Sequence, residues 1–246
     1  MGIEKEVDVL KNFKKKCSFA CVCSRKSLIL QSFLNEKMNY LQFREKLLPL
    51  GCFSIKQIEL FFPNYDVNNI TRWVKMGYLT KLRRGWYAFA ECLKERDITL
   101  LIANQLVEPS YISLHYALAY FGMIPESVIQ LTSVTTQRTA RYDTTIAAFS
   151  YHTIAADLYF GYQLIPLGSK IQGERYYRMA TPEKALLDLL YLHPEYQSEE
   201  DFLQLRLDED YMQEELNIDR LNEYLKRWDS HKLTKRVELL RKAYNI

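Results

Sequence analysis

The chain has 246 residues, 33 Lys+Arg against 30 Asp+Glu, and 48% hydrophobic residues. The length suits one large domain or two modest ones, and the apolar content excludes wholesale disorder. Eight Gly and seven Pro exclude a collagen-like or low-complexity chain, and the best apolar runs, 98–107 and 185–192, are too short to span a bilayer.

Residues 1–37 read as a leader. Glu4, Glu6 and Asp8 precede any apolar stretch, which is not the pattern of a secretory signal. A cytoplasmic protein with no membrane partner is therefore expected. The five cysteines, an odd number, argue for reduced thiols. Cys17, Cys21 and Cys23 crowd one segment with no His near in sequence. A zinc site wants four ligands, usually as two spaced pairs, so this cluster reads as an apolar patch. No metal or cofactor is expected. Met38 offers an alternative start.

Residues 38–95 read as a winged helix-turn-helix. Met38, Leu41, Leu47 and Leu48 suit an amphipathic helix that Gly51 ends. Ser54 then caps a second helix, with Gln57 at the capping-box position and Phe53 and Ile58 at staple spacing. That helix stops before Pro63. Asp66 caps a third helix, Val67–Met76, closed by Gly77. On its wheel Val67, Ile70 and Val74 share a face with Trp73 at the edge. Asn68, Asn69, Arg72 and Lys75 lie opposite, with Thr71 at the margin. Tyr78–Arg83 and Trp86–Phe89 read as strands joined by a tight turn at Arg84-Gly85. Two capped helices joined by a short turn, followed by a basic hairpin, form a unit that places a helix in the major groove.

The composition of this unit suits DNA. Residues 66–90 carry Arg72, Lys75, Lys81, Arg83 and Arg84 against Asp66 alone. Asn68, Asn69 and Arg72 have the groups that read adenine and guanine edges, and Thr71 suits a thymine methyl or a phosphate. Lys56, Lys75, Arg83 and Arg84 are assigned to phosphate. Basic exposed faces also occur on winged helices that bind proteins, and that alternative stays open.

Residues 96–194 read as an α+β domain with a mostly antiparallel sheet. Helices are expected at 96–106 and 111–121, the second ended by Gly122. Strands are expected at 128–136, 146–154, 159–165 and 170–179, with a basic turn region at 137–143. Thr181 caps a helix over 182–192, with Pro182 at its first position and Glu183 suiting the helix dipole. Ala185, Leu186, Leu189 and Leu190 form its buried face. Lys184 and Asp188 read as an i,i+4 surface pair.

Residues 195–246 read as a helical appendage. Helices are expected from the Ser198 cap to about Arg206, from Asp219 through Trp228, and over Leu233, Val237, Leu240 and Tyr244. Residues 195–219 carry ten acidic residues and one basic, whereas 220–246 carry eight basic and three acidic. Such asymmetry points weakly to nucleic acid or a charged partner, and for the acidic segment and the basic last helix solvated faces are the favoured reading.

The enzymatic readings are weaker, and no enzyme is expected. No lysine has Asp or Glu two positions before it, which removes the common metal-dependent nuclease pattern. Gly168-Ser169 leads to no aspartate pair of the nucleotidyltransferase kind, and no P-loop, Gly-x-Gly-x-x-Gly or His-Glu-x-x-His occurs. His115, His152 and His193 are left as candidates for chemistry and read as structural histidines.

The unit 53–90, including Trp73-Val74-Lys75-Met76-Gly77-Tyr78-Leu79 and Leu82-Arg83-Arg84-Gly85-Trp86-Tyr87-Ala88, resembles the N-terminal winged helix of AbiEi-type proteins. These are the antitoxins and transcriptional regulators of abortive-infection type IV toxin–antitoxin systems. Tyr111-Ile112-Ser113-Leu114, and the block from Ala180 to Tyr191, resemble that family's second domain. The resemblance covers roughly residues 38–195. It implies a repressor that binds double-stranded DNA at inverted repeats in its own promoter. It also implies counteraction of a nucleotidyltransferase-like toxin without obligatory direct contact. The long helical tail departs from the pattern, and fold analogy alone does not fix function. The alternative of a different class is a protein-interaction adaptor whose winged helix is structural.

Overall fold

The computed structural model describes residues 39–168 and 174–246. The Cys17, Cys21 and Cys23 cluster lies outside the described residues, as does the start of the strand expected at 170–179. The protein is α+β, with one three-stranded and one six-stranded sheet.

Helix α1 (Tyr40–Leu47) runs into a short 3-10 turn that Gly51 ends in left-handed backbone. The face it buries differs from the expected one. Phe43 and Leu47 are fully buried, while Leu41 is 67% exposed. The i,i+4 pair that points inward carries an aromatic ring. Phe43 meets Trp73 at 4.7 Å and Phe53 at 5.5 Å between centroids. A strand that the sequence did not announce follows, β1 (Cys52–Ser54). Ser54 and Gln57 make the expected capping box at the start of α2 (Ile55–Phe61). Asp66 caps α3 (Val67–Lys75), and Gly77 follows with φ +76. Ile70 and Trp73 are the buried residues of α3. Val67 is exposed at its first position, before the helix reaches the core, and Trp73 sits inside rather than at the edge.

The hairpin β2 (Leu79–Arg83) and β3 (Trp86–Phe89) forms as expected, and β3 pairs with both β1 and β2. Helix α4 (Ile98–Leu106) is buried along most of its length. It links the small sheet to the large one. Gln105 donates to the Leu50 carbonyl, and its own carbonyl oxygen accepts from the Cys52 thiol.

The large sheet holds β4 (Ser110–Ile112), β5 (Leu131–Thr135), β6 (Ala140–Asp143), β7 (Ala148–Thr153), β8 (Tyr162–Pro166) and β9 (Tyr176–Ala180) in the order β6-β7-β5-β4-β9-β8. The β5–β7 and β4–β9 pairs are parallel and the other three antiparallel. Two expectations are corrected here. Residues 110–112 are a strand rather than the start of a helix, and α5 spans only Leu114–Tyr120. The basic turn at 137–143 contains the strand β6.

Helix α6 (Pro182–Leu192) starts at its Thr181 cap as expected. It is far more buried than its apolar stripe predicts, because α5, α8 (Ile218–Trp228) and α9 (His231–Tyr244) all pack against it. Lys184 and Asp188 are a wholly buried ion pair, not a surface one. Glu183, 2% exposed, accepts from the Asn217 amide and the Arg220 guanidinium. The cap of α8 is Asn217, two residues before the expected Asp219. Ser198 and Asp201 form a capping box on α7 (Glu199–Gln204), and Leu233, Val237, Leu240 and Tyr244 are all buried on α9.

Candidate nucleic-acid interface

The residues assigned to base and phosphate contact divide into two sets. Asn68, Thr71, Arg72 and Lys75 are exposed on α3, and Asn69 is partly exposed. Their presentation follows from the opposite face. Trp73 anchors α3 to the aromatic cluster of Tyr40, Phe43 and Phe89, and Ile70 is buried with it, so the polar side is held outward. The Asn69 amide oxygen accepts from Arg72 at 3.0 Å, one turn away. This bond fixes the guanidinium along the helix and presents it beside an amide. The Thr71 hydroxyl is occupied by the Val67 carbonyl at 3.2 Å, which leaves its methyl and an acceptor lone pair. Lys56 is exposed on α2, and Arg84 is exposed at the hairpin turn beside Gly85, whose φ is +77. Lys81 is exposed on β2.

Arg83 is not with them. Its guanidinium donates to the Leu106 carbonyl at 2.6 Å and lies over the Tyr142 ring, 4.4 Å from its centroid. The ring of Trp86 lies 5.5 Å away on the same group. The geometry makes Arg83 a clamp between the hairpin, the end of α4 and strand β6. A phosphate contact would require breaking it. The sequence does not distinguish the two arginines, since both stand at the hairpin tip. The irregularity in β2–β3 pairing between Lys81 and Arg83 turns Arg83 back toward the body of the protein.

A second constellation emerges that the sequence separates. His115 at the start of α5, His152 on β7 and His193 after α6 face one another, with His193 5.8 Å from His115 and 6.3 Å from His152 between ring centroids. They line one cavity. Burial and the neighbouring His193 ring hold His115 and His152 below the ordinary histidine value. Among the described residues no group of three or more His, Cys, Asp or Glu side chains is arranged to hold a metal ion. The buried Cys52 thiol is pushed well up by burial, and that of Cys92 up to about 12, so neither is a ready nucleophile.

Among the described residues no helix is long and apolar enough to cross a membrane. No protein-family model matches the chain, and no curated protein matches it in sequence.

Proposed function

We propose that the protein is a DNA-binding transcriptional regulator, an autorepressor resembling the AbiEi-type antitoxins. In this reading residues 38–95 are a winged helix-turn-helix, α3 is the recognition helix and the β2–β3 hairpin is the wing. The supporting observation is the exposed Asn68, Asn69, Arg72 and Lys75 face of a helix whose other side is locked into an aromatic core. Asn68, Asn69 and Arg72 carry the groups that suit adenine and guanine edges in the major groove, and Lys75, Lys56 and Arg84 suit the flanking phosphates. The toxin partner, a nucleotidyltransferase-like protein, follows from the family resemblance alone. So do the inverted repeats, whereas the cytoplasmic setting rests on the acidic N-terminus and the odd cysteine count of the sequence.

The test is binding of the purified protein to its own upstream DNA, against scrambled DNA, across a salt series. Specific binding that weakens steeply with salt is expected. Arg72→Ala should cost about 1–3 kcal/mol on the specific site and relax base preference, while leaving scrambled DNA nearly unaffected. Equal affinity for both DNAs at every salt concentration would defeat the proposal. The adaptor alternative has its own foothold, because Leu60, Phe61 and Val67 are exposed at and after the end of α2. It predicts no sequence-specific DNA binding and a protein partner lost on Leu60→Asp.

A further inference from the structure

The histidine cavity is independent of the DNA-binding reading and has a composition of its own. Its volume is about 490 Å³, within the usual range for small-molecule sites. Its donors come from separate parts of the chain. His115 and His193 arrive from the start of α5 and the end of α6. Arg141 and Ser150 stand opposite each other on the antiparallel β6–β7 pair, and His152 lies two residues beyond Ser150 on the same face. No Asp or Glu lines the cavity. Ser150 is 9% exposed, and its buried hydroxyl has no hydrogen-bond partner.

The charged groups around the cavity are arranged to admit an anion. Glu195 lies 2.7 Å from His193 Nδ1, so Nε2 is the nitrogen left for a ligand. Arg141 rests 3.4 Å from Asp143, both largely exposed, a contact a better anion displaces at little cost. Glu126 and Glu195 act on His115 from outside the cavity wall, and His193 acts on His152.

We infer that this cavity binds a phosphate-bearing small molecule of mononucleotide size. A planar carboxylate offers two oxygens in one plane, whereas donors that line the cavity from four segments of the chain suit the three oxygens of a phosphoryl group. The volume beyond the phosphate leaves room for a sugar and a planar base.

The experiment is isothermal titration calorimetry of the full chain, without DNA, using inorganic phosphate, ribose 5-phosphate, adenosine monophosphate and adenosine as probes. The monophosphate should bind more tightly than phosphate alone, and adenosine should not bind. Arg141→Gln, a surface change that leaves the fold intact, and His152→Gln should each weaken binding roughly tenfold, the worth of one charge-assisted hydrogen bond. Binding should tighten from about pH 7.5 to about pH 6 with net proton uptake, because an anion favours the protonated imidazoles. Three results would overturn the inference. They are no binding of any phosphate-bearing probe at millimolar concentration, equal binding of adenosine, and binding that both variants leave unchanged.

Discussion

Lys184 is wholly buried on α6. Its ammonium pairs with Asp188 and lies 4.1, 5.0 and 5.4 Å from the ring centroids of Trp228, Phe160 and Tyr111. Asp188 also accepts from Tyr111 Oη at 2.9 Å and Ser113 Oγ at 2.7 Å. Burial pushes the Asp188 carboxyl up and the Lys184 ammonium down; the ion pair opposes both shifts, and the Ser113 and Tyr111 hydroxyls oppose that of the carboxyl. A fully buried charge left without its partner is the costly state, so Lys184→Met should lose about 3–5 kcal/mol of stability by urea denaturation. The Lys184→Met/Asp188→Asn double variant should lose much less than the two single losses added together. Additive losses would mean that the pair acts as two independent groups. Gly161 supports the same site. It has φ +73, and a Cβ there would lie 3.0 Å from the Lys184 stem and 3.1 Å from Tyr224. Gly161→Ala therefore combines backbone strain with a clash against a side chain that has no room to retreat, and should cost about 1–3 kcal/mol. The i,i+4 spacing of 184 and 188 was legible in the sequence. Its burial was not, because the same spacing serves a wet surface pair, and Trp228 arrives from forty residues later.

At the scale of elements, the sequence was most informative where a helix end carries its own chemistry. Ser54 with Gln57, Asp66 and Thr181 each announce a start that the structure keeps. It was least informative for β4 and β6. Strand β4 is three residues long and buried on both faces, so it has no alternation to read. Strand β6 hides in a polar segment at the sheet edge, where its outward residues include Arg141 and Asp143. The same element-level blindness joined Arg83 to Arg84. Their geometry now separates them by experiment. Arg83→Ala removes the bond to the Leu106 carbonyl and the stacking on Tyr142, and should cost about 1–3 kcal/mol of stability in chemical denaturation. Arg84→Ala should leave stability within about 0.5 kcal/mol and, if the hairpin is the wing, reduce the salt slope of DNA binding by about one. The reverse pattern, a stable Arg83→Ala protein with a shallower salt slope, would show that the clamp opens on DNA.

For the molecule as a whole, the buried side chains form one continuous cluster from Phe43 to Tyr244. The joint between the small and large sheets is made of groups that neither side satisfies alone. Arg175 bonds Glu95 at 2.8 Å, and Gln105 bridges Leu50 and Cys52. Asn104, 2% exposed, pairs with both backbone groups of Arg178 on β9. The expected boundary near residue 95 is thus a change of sheet within a shared core, and a single cooperative transition by fluorescence and circular dichroism is the expected unfolding behaviour. Stability should also respond to pH through the histidine cavity. His115 and His152 lie below 6.5 in the folded chain and return to about 6.5 when it unfolds. The unfolded chain therefore takes up their protons first as pH falls, and it gains free energy relative to the fold. Their contribution to stability is complete above about pH 6.5 and drains away as pH drops through the two depressed values. Urea midpoints measured in phosphate-free buffers from about pH 7.5 downward should fall from about pH 6.5 in the wild type. The His115→Gln/His152→Gln variant should hold its midpoint nearly level until the carboxylates begin to titrate. Equal slopes for the two proteins over that range would place the acid sensitivity elsewhere in the fold.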